Sequence, residues 1–323
     1  MIPVAGANEI AAARERLDAL RRMVTRIYIG PDRIVDLLLT ALLARGHVLL
    51  EGVPGVAKTT LAKAFAASLG CSMRRIQFTP DLLPADITGT YVLSPRDGTF
   101  SLRSGPIFAN VVLADEINRA PAKTQSALLE AMQEKQVTIE GDRFELGAPF
   151  LVLATQNPID LEGTYPLPEA QIDRFLVRVS VGYPTHRDEV SMLRTHNADV
   201  PLASAVLSPD DVRGLQSIAS RIHIEDDLYD YAVALTSFTR THAKVALGAS
   251  PRATLNLIQA AKGAAVLAGR PYVTPDDIRE LAVNVLAHRL VLVPEVEGDE
   301  RVRAQVVEEA LSKVGYRRAA RPV

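Results

Sequence analysis

The 323-residue sequence has no tryptophan and a single cysteine, Cys71, so an internal disulfide bond is excluded. No apolar run approaches the roughly 18 residues that indicate a membrane-spanning helix, and the N-terminus lacks the basic segment and apolar core of a secretory signal. The formal net charge of -2 offers no footprint for non-specific nucleic-acid binding. The six histidines show no metal-ligand spacing. These absences predict a cytoplasmic protein with no membrane segment and no specific nucleic-acid partner.

What is present indicates two folded units. Apolar residues make up 48% of the chain and charged residues 23%, which is typical of globular proteins. Short apolar runs alternate with helical segments as far as residue 181, and only helical patterns follow Gly182-Tyr183-Pro184. Such an order predicts an α/β domain with a parallel sheet, followed by an all-helical domain. We place the first domain at residues 1–184 and the second at 185–323.

The most informative segment is a Gly/Pro-rich loop between a buried strand and a helix. It follows the apolar run at 47–50 and precedes the helical segment at 61–67. A loop in this position points its backbone N–H groups at a ligand near the head of the helix, where phosphate is favoured. The predicted nucleotide-binding residues are Gly52, Val53, Pro54, Gly55, Val56, Ala57, Lys58, Thr59 and Thr60. The alternative is an ordinary Gly-Pro turn before a helix.

One residue of this loop departs from the general phosphate-binding motif. The motif has glycine before the lysine, and this chain has Ala57. We expect the alanine to be tolerated because its backbone does not require a positive φ.

Two carboxylates follow the next strongly apolar run of the chain. Asp115 and Glu116 end the run that begins at residue 109. Ligands of parallel sheets bind outside the carboxyl ends of the strands, so both carboxylates are expected to face the phosphate loop. Thr59 and Asp115 are the predicted ligands of Mg²⁺, and Glu116 is the predicted base for the attacking water. The alternative is that Asp-Glu only caps a turn.

Three further polar residues are candidates for catalysis. Asn157 ends the following apolar run and would orient the water or sense the γ-phosphate, although a turn residue before Pro158 fits equally well. Arg174 and Arg252 would each supply positive charge to the transition state. Surface salt bridges are the alternative for both arginines.

Several segments together resemble the MoxR family of AAA+ ATPases over nearly the whole chain. The most specific runs from Ala114-Asp115-Glu116-Ile117-Asn118-Arg119 to Glu134. Four others are Glu51-Gly52-Val53-Pro54-Gly55, Asp86-Ile87-Thr88-Gly89, Asp173-Arg174-Phe175 and Ser250-Pro251-Arg252.

The resemblance implies a homo-oligomer, a hexameric ring with ATP between subunits. Arg174 would be the arginine finger for the neighbour, Arg252 the sensor-2 arginine acting in its own subunit, and Asn157 sensor 1. Residues of about 86–103 and 136–147 would be inserts that face the substrate or the pore. Gln77 and Arg119 match family positions, and we expect structural pairing or capping from them.

The combined expectation is an α/β AAA+ P-loop core with a helical lid that hydrolyses ATP with Mg²⁺. By resemblance, the work is chaperone-like remodelling or maturation of protein complexes, and its clients often carry a von Willebrand A domain. A second hypothesis is an AAA+ motor for nucleic acid or transcription activation. A third is a nucleotide-binding scaffold without turnover, which Glu116, Asn157 and Arg174 disfavour.

Overall fold

The computed structural model describes residues 4–53, 55–96, 98–157, 164–196, 204–297 and 299–316. Its centre is a five-stranded parallel sheet in the order β2-β5-β8-β1-β9. These strands are β1 (Val48–Glu51), β2 (Met73–Gln77), β5 (Val111–Asp115), β8 (Leu151–Gln156) and β9 (Val177–Ser180). β1, β5 and most of β8 are buried along their length, as continuous apolar runs predict for strands covered on both faces.

Helices and two hairpins surround the sheet. The helices of this part of the chain are α1 (Ala7–Thr25), α2 (Asp32–Leu43), α3 (Lys58–Ser68), α4 (Pro84–Thr88), α5 (Ala122–Glu134) and α6 (Glu169–Ile172). The hairpins pair β3 (Gly89–Leu93) with β4 (Phe100–Ser104) and β6 (Gln136–Ile139) with β7 (Asp142–Glu145). Asp97, which lies between β3 and β4 in the sequence, is outside the described residues.

The C-terminal part is mainly helical, as predicted. Its helices are α7 (His186–His196), α8 (Pro209–Ser220), α9 (Asp226–Thr241), α10 (Pro251–Leu267), α11 (Pro275–Leu286) and α12 (Glu300–Lys313). The sequence did not predict a short antiparallel pair, β10 (Val245–Leu247) with β11 (Val291–Leu292). No helix within the described ranges is long and apolar enough to cross a bilayer.

Two hydrophobic clusters lie on either face of the sheet. One is formed by the α5 side, with Phe78, Leu128 and Phe175 among its members. The other joins α1 and α2 to α3, the sheet and the lid helices α8 to α12 in one continuous core. α10 packs closely on α2, because a Cβ at Gly263 would press against the carbonyl oxygen of Thr40. The lid is therefore packed against the first two helices.

A buried histidine fixes the amino end of the sheet. His47 precedes β1, accepts a hydrogen bond at Nδ1 from the Val152 N–H (3.0 Å), and donates from Nε2 to the Met132 carbonyl oxygen (3.1 Å). Both contacts suit a neutral imidazole, and burial lowers the pKa of His47 to about 4. His47 is thus a structural link among β1, β8 and α5.

Candidate active site

The phosphate loop connects β1 to α3 and rests on the backbone that follows β9. A Cβ at Gly52 would overlap the carbonyl oxygen of Val181, so only glycine fits this close approach. Gly55 has a φ of 84°. Pro54, one of the predicted binding residues, lies outside the described residues. The other predicted loop residues stand between β1 and the first turn of α3.

Ala57 has a left-handed backbone, with φ 59° and ψ 21°. The prediction that this alanine avoids a positive φ is wrong. The loop must reverse direction between β1 and the first turn of α3, and two of its residues, Gly55 and Ala57, adopt positive φ to do so. An L-residue in this region costs roughly 1–2 kcal/mol, so the chain carries local strain at the loop.

Lys58 is the first residue of α3, and its side chain folds back over the loop. Its Nζ donates to the carbonyl oxygen of Gly52 and to that of Gln156 at 3.3 Å. These carbonyls lie at the ends of β1 and β8, so the ammonium group is held at the carboxyl edge of the sheet. In this position the ammonium group fits the predicted role of a point charge for phosphate.

Asp115 ends β5 and lies beside Thr59 of α3. Its Oδ2 accepts a hydrogen bond from Thr59 Oγ1 at 3.3 Å, and its Oδ1 accepts one from Thr155 Oγ1 at 2.5 Å. The Asp115 side chain is only 8% exposed. The structure thus brings the two predicted Mg²⁺ ligands together, although they are 56 residues apart in the sequence.

Sequence reasoning missed two partners of Asp115. Thr155 fixes one carboxylate oxygen, and Arg75 of β2 donates to the other from Nε at 3.1 Å and Nη2 at 2.6 Å. The polar Thr155 within an apolar strand was a signal for the first. Arg75 stands two residues before Gln77, which pairs in register with Asp115, so it lies on the same face of the sheet.

Glu116 follows the strand with a left-handed backbone, φ 57°. Its N–H donates to Thr155 Oγ1 at 2.8 Å, and its Oε2 accepts from Gln77 Nε2 at 3.1 Å. Arg119 forms an ion pair with the same oxygen at 3.4 Å. Gln77 and Arg119 therefore both contact the carboxylate that we predict to be the base.

Asn157 follows β8, which lies between β1, the strand before the phosphate loop, and β5, the strand that ends in Asp115. It is buried, and its backbone carbonyl accepts from Asn118 Nδ2 at 3.2 Å. Behind the loop is a recess whose walls come from the segment before α2 and the chain after β9. Its lining includes Tyr28, Ile29, Pro31, Val56, Val181 and Met192.

Together, Lys58, Thr59, Asp115, Glu116 and Asn157 form a set that we call the phosphate edge. All five residues belong to the carboxyl ends of β1, β5 and β8 or to the first turn of α3. The set joins a cation, oxygen ligands and a second carboxylate, as phosphoryl transfer requires.

Four residues near the amino ends of β1 and β9 form a second charged set, which we call the arginine edge. Asp173, Arg174, Arg252 and Arg289 belong to it. Arg289 is 1% exposed in its side chain and donates to Asp173 Oδ1 at 2.8 Å and to the Phe175 carbonyl at 2.5 Å. Arg252 stands 3.8 Å from Asp173 Oδ2, and Arg174 Nε donates to Gln133 Oε1 at 3.1 Å.

The two edges lie at opposite ends of β1. The Leu176 N–H donates to the carbonyl of His47, which precedes β1, whereas Lys58 follows the end of that strand. The four residues of β1 span roughly 13 Å. The contact with Asp173 places Arg252 at the amino end of β1, away from the phosphate loop of its own chain, and the prediction that Arg252 acts in its own subunit stays a prediction.

A buried ion pair connects the phosphate loop to the lid. Arg178 of β9 donates from Nε to Glu51 Oε2 at 2.5 Å and from Nη2 to Glu300 Oε2 of α12 at 2.8 Å. Burial raises the pKa of Glu51, and the charge of Arg178 opposes that rise. Glu51 immediately precedes Gly52, so the loop and α12 share one arginine.

The donor atoms of the phosphate edge fit a magnesium ion. Thr59 Oγ1 and Asp115 Oδ2 are oxygen ligands of the kind that Mg²⁺ prefers, and Mg²⁺ usually takes only one or two carboxylates, with phosphate oxygens and water completing the shell. Within the described ranges, no group of three or more His, Cys, Asp or Glu side chains forms a metal site. An ion shared with a nucleotide is thus the arrangement that these residues suit.

The sequence is similar to known protein families over both parts of the fold. Residues 47–177 match the ATPase family associated with various cellular activities (AAA), and residues 237–310 match the AAA lid domain. Chaperone MoxR1 of Mycobacterium tuberculosis is 46% identical over 97% of this chain and 85% of its own length. Protein MoxR of Methylorubrum extorquens is 32% identical over 93% of this chain and 94% of its own.

A solved structure shows the same fold. The crystal structure of a protein from Cytophaga hutchinsonii covers 96% of this chain and 98% of its own, with a TM-score of 0.88 and 40% identity. The agreement extends over both the sheet domain and the lid. The chain therefore belongs to the MoxR family of AAA+ ATPases, and its activity is the hydrolysis of ATP.

Proposed function

We propose that this chain works as a ring of identical subunits, a hexamer, in which each ATP lies between two neighbours. The observation that carries the proposal is the placement of the two edges. Arg174 and Arg252 lie at the amino end of the sheet, away from the phosphate loop of their own chain. Arginines in that position serve a nucleotide only if it is bound to another copy.

In this proposal, the phosphate edge of one subunit holds the nucleotide. The N–H groups of the loop and Lys58 bind the phosphates, and the recess beside Tyr28 and Val56 receives the base. Thr59 and Asp115 would hold Mg²⁺, which neutralises charge on the phosphates when bound. Asn157 and Glu116 would orient the attacking water, and Glu116 would accept its proton.

The arginine edge of the next subunit would complete the site. Arg174 is half-buried and its guanidinium donates a hydrogen bond to Gln133, an exposed residue, so its outer side is available to a neighbour. Arg252 lies close to Arg174, because it contacts Asp173, the residue that precedes Arg174 in the chain. Positive charge of this kind stabilises the transition state and is worth on the order of a thousandfold or more in rate.

Hydrolysis would then move the lid and the inserts. The Glu51–Arg178–Glu300 contact joins the phosphate loop to α12 and supports such coupling. The β3–β4 and β6–β7 hairpins meet through Tyr91 Oη, which donates to Asp142 Oδ2 at 2.7 Å. At the outer end of the first hairpin, Leu93 and Phe100 pair across the strands and are 51% and 68% exposed.

These exposed apolar side chains suit contact with protein clients. The name of the mycobacterial relative, a chaperone, supports remodelling or maturation of protein complexes as the work of the ring. By family resemblance, proteins with a von Willebrand A domain would be among the clients. The reaction would take place in the cytoplasm, a compartment in which a free thiol such as that of Cys71 persists.

Glu116→Gln tests the function directly. The amide keeps the size of the side chain but cannot accept the proton of water, so turnover should fall at least a hundredfold while ATP remains bound. The measurements are steady-state phosphate release and retention of ATP on the purified protein. Glu134→Gln, at an exposed position of α5, is the matched control.

The same variant identifies clients. In the presence of ATP, Glu116→Gln should accumulate bound protein that the Glu134→Gln control releases. Unchanged hydrolysis by Glu116→Gln would remove this residue from the base role. Stimulation of the wild-type ATPase by duplex DNA at physiological salt would instead favour a nucleic-acid motor.

A further inference from the structure

One oxygen of Asp115, Oδ2, already has a full set of hydrogen-bond donors before any metal is considered. Its Oδ2 accepts from three atoms, Arg75 Nε, Arg75 Nη2 and Thr59 Oγ1, and its Oδ1 accepts from Thr155. A carboxylate has about four lone-pair positions, two on each oxygen, so Oδ2 has none left. A metal ion, or a water of its shell, therefore reaches Oδ2 only if one of these donors leaves.

Arg75 is the donor placed to leave. Its side chain is 46% exposed, whereas that of Asp115 is 8% exposed, so the guanidinium group exchanges a buried partner for water when it moves. Thr59 is fixed on the first turn of α3 and becomes a metal ligand by turning its hydroxyl. Thr155 holds the other oxygen.

We propose that Arg75 is a resident counter-ion of Asp115 and that Mg²⁺ must displace it, so that the chain itself raises the metal concentration needed to load its site. This inference rests on the proposed magnesium–nucleotide site. Both cations seek the same carboxylate oxygen, and their mutual repulsion opposes simultaneous occupancy. At a separation of ~5 Å in a water-like medium, that repulsion changes metal affinity by on the order of tenfold.

Displacement of Arg75 also changes the contacts of Glu116. Arg75 Nη2 donates to Gln77 Oε1 at 2.5 Å, and Gln77 Nε2 donates to Glu116 Oε2 at 3.1 Å. The guanidinium thus orients the amide that holds the second carboxylate. When Arg75 leaves, Gln77 loses the contact that fixes it, and Glu116 loses a fixed donor. Arg75 acts as a positioning residue for both carboxylates.

The test measures binding of Mg²⁺ and nucleotide rather than turnover. A fluorescent, slowly hydrolysed ATPγS analogue is titrated into the full-length protein from EDTA to millimolar Mg²⁺, for wild type and Arg75→Gln. The Mg²⁺ concentration at half-maximal binding should fall about tenfold in Arg75→Gln. In EDTA, the affinity for the nucleotide should fall instead, because an unscreened Asp115 then repels the phosphates.

These opposite signs separate the proposal from a structural role, which would weaken binding under both conditions. Arg75→Lys keeps the charge and should restore a metal midpoint near that of wild type. Arg74→Gln, the neighbouring exposed arginine on β2, is the matched control and should leave both quantities unchanged. A second readout is thermal melting, where Arg75→Gln should melt lower than wild type in EDTA but not with Mg²⁺ and ATPγS.

Each outcome bears on a distinct claim. A metal midpoint that is unchanged or higher in Arg75→Gln overturns the counter-ion role, while wild-type binding remains Mg²⁺-dependent. If wild-type nucleotide binding shows no dependence on Mg²⁺ at all, the proposed magnesium–nucleotide site itself fails.

Discussion

The two edges of the central sheet are built from different groups for different tasks. At the phosphate edge, carboxylates and Lys58 are fixed by neighbouring strands, with Asp115 buried and fully hydrogen-bonded. At the arginine edge, one arginine is buried as a structural tie and two others remain at the surface. The difference teaches that one chain carries both charged sets and keeps them apart, as the proposed sharing of a site between subunits requires.

The largest expected effect tests whether the two edges serve different copies. Arg174→Ala and Glu116→Gln should each lower ATP turnover on the order of a thousandfold, because each damages every site of a uniform assembly. Mixed and allowed to exchange subunits, the two variants should recover roughly a quarter of wild-type turnover, since random neighbours restore that share of sites. Phosphate release from the mixture is the measurement.

A second mixture is the control for the first. Arg174→Ala and Arg252→Ala damage the same edge, so their mixture should stay inactive. Recovery in this mixture would show that Arg252 serves its own subunit. No recovery in the first mixture would mean that Arg174 does not act across the interface.

The next effect concerns the buried arginine. Arg289→Met should lower the free energy of unfolding by about 3–5 kcal/mol, because it removes the buried partner of Asp173 and a hydrogen-bond donor to the Leu176 carbonyl. Chemical denaturation measures the change. Arg301→Met, at an exposed position of α12, should change it by less than about 0.5 kcal/mol. A small loss for Arg289→Met would indicate that the tie between lid and sheet is weak.

A smaller effect is a pH dependence of the free energy of unfolding, which arises from His47 at the amino end of the sheet. The folded pKa of His47 is about 4, below the ordinary value of 6.5, so the unfolded chain binds the proton first. Stability should therefore be complete above about pH 6.5 and fall as the pH drops towards 4. At pH 5 this group alone accounts for about 2 kcal/mol.

Denaturation curves at pH 7 and pH 5 measure this loss. His47→Asn should reduce the pH dependence, whereas His223→Asn, at a surface position, should not. His288, whose pKa is also held low by burial and by Arg289, contributes in the same direction and should remain in both variants. Equal pH dependence in wild type and His47→Asn would contradict this prediction.

The smallest effect is at the phosphate edge. Ala57→Gly should stabilise the chain by up to about 1 kcal/mol, because glycine adopts φ 59° without strain. Ala67→Gly, at an exposed position of α3, should destabilise by about 1 kcal/mol. The opposite signs, read from thermal melts, distinguish strain at Ala57 from the general cost of glycine.

Much of the fold and of the phosphate edge followed from local sequence patterns. Apolar runs that end in polar residues predicted β1, β5 and β8, and the loop with Lys58, Asp115 and Asn157 follow or end these strands in that order. Local chemistry also marks the lid helices, since α8 begins after Ser208, whose side chain accepts from the Asp211 N–H. Each of these features depends on a few consecutive residues, which is why sequence reveals them.

The features that were missed depend on residues far apart in the chain. Arg75 and Asp115 meet only because β2 and β5 pair in a given register. Arg252 joins Asp173 across the boundary between sheet and lid. The left-handed backbone of Ala57 follows from closure of the loop, not from the alanine itself. The β10–β11 pair is too short for a periodic pattern to show.

The separation of the two edges has a consequence for the number of complete nucleotide sites in an assembly. If neighbouring subunits complete each site as proposed, the last phosphate edge in an open row of n subunits meets no partner, and the row contains n − 1 complete sites. Closing the row into a ring adds the final site without any new protein. The rate per subunit therefore becomes a measure of closure, and a partner that opens or seals the ring would alter ATP consumption without touching a nucleotide.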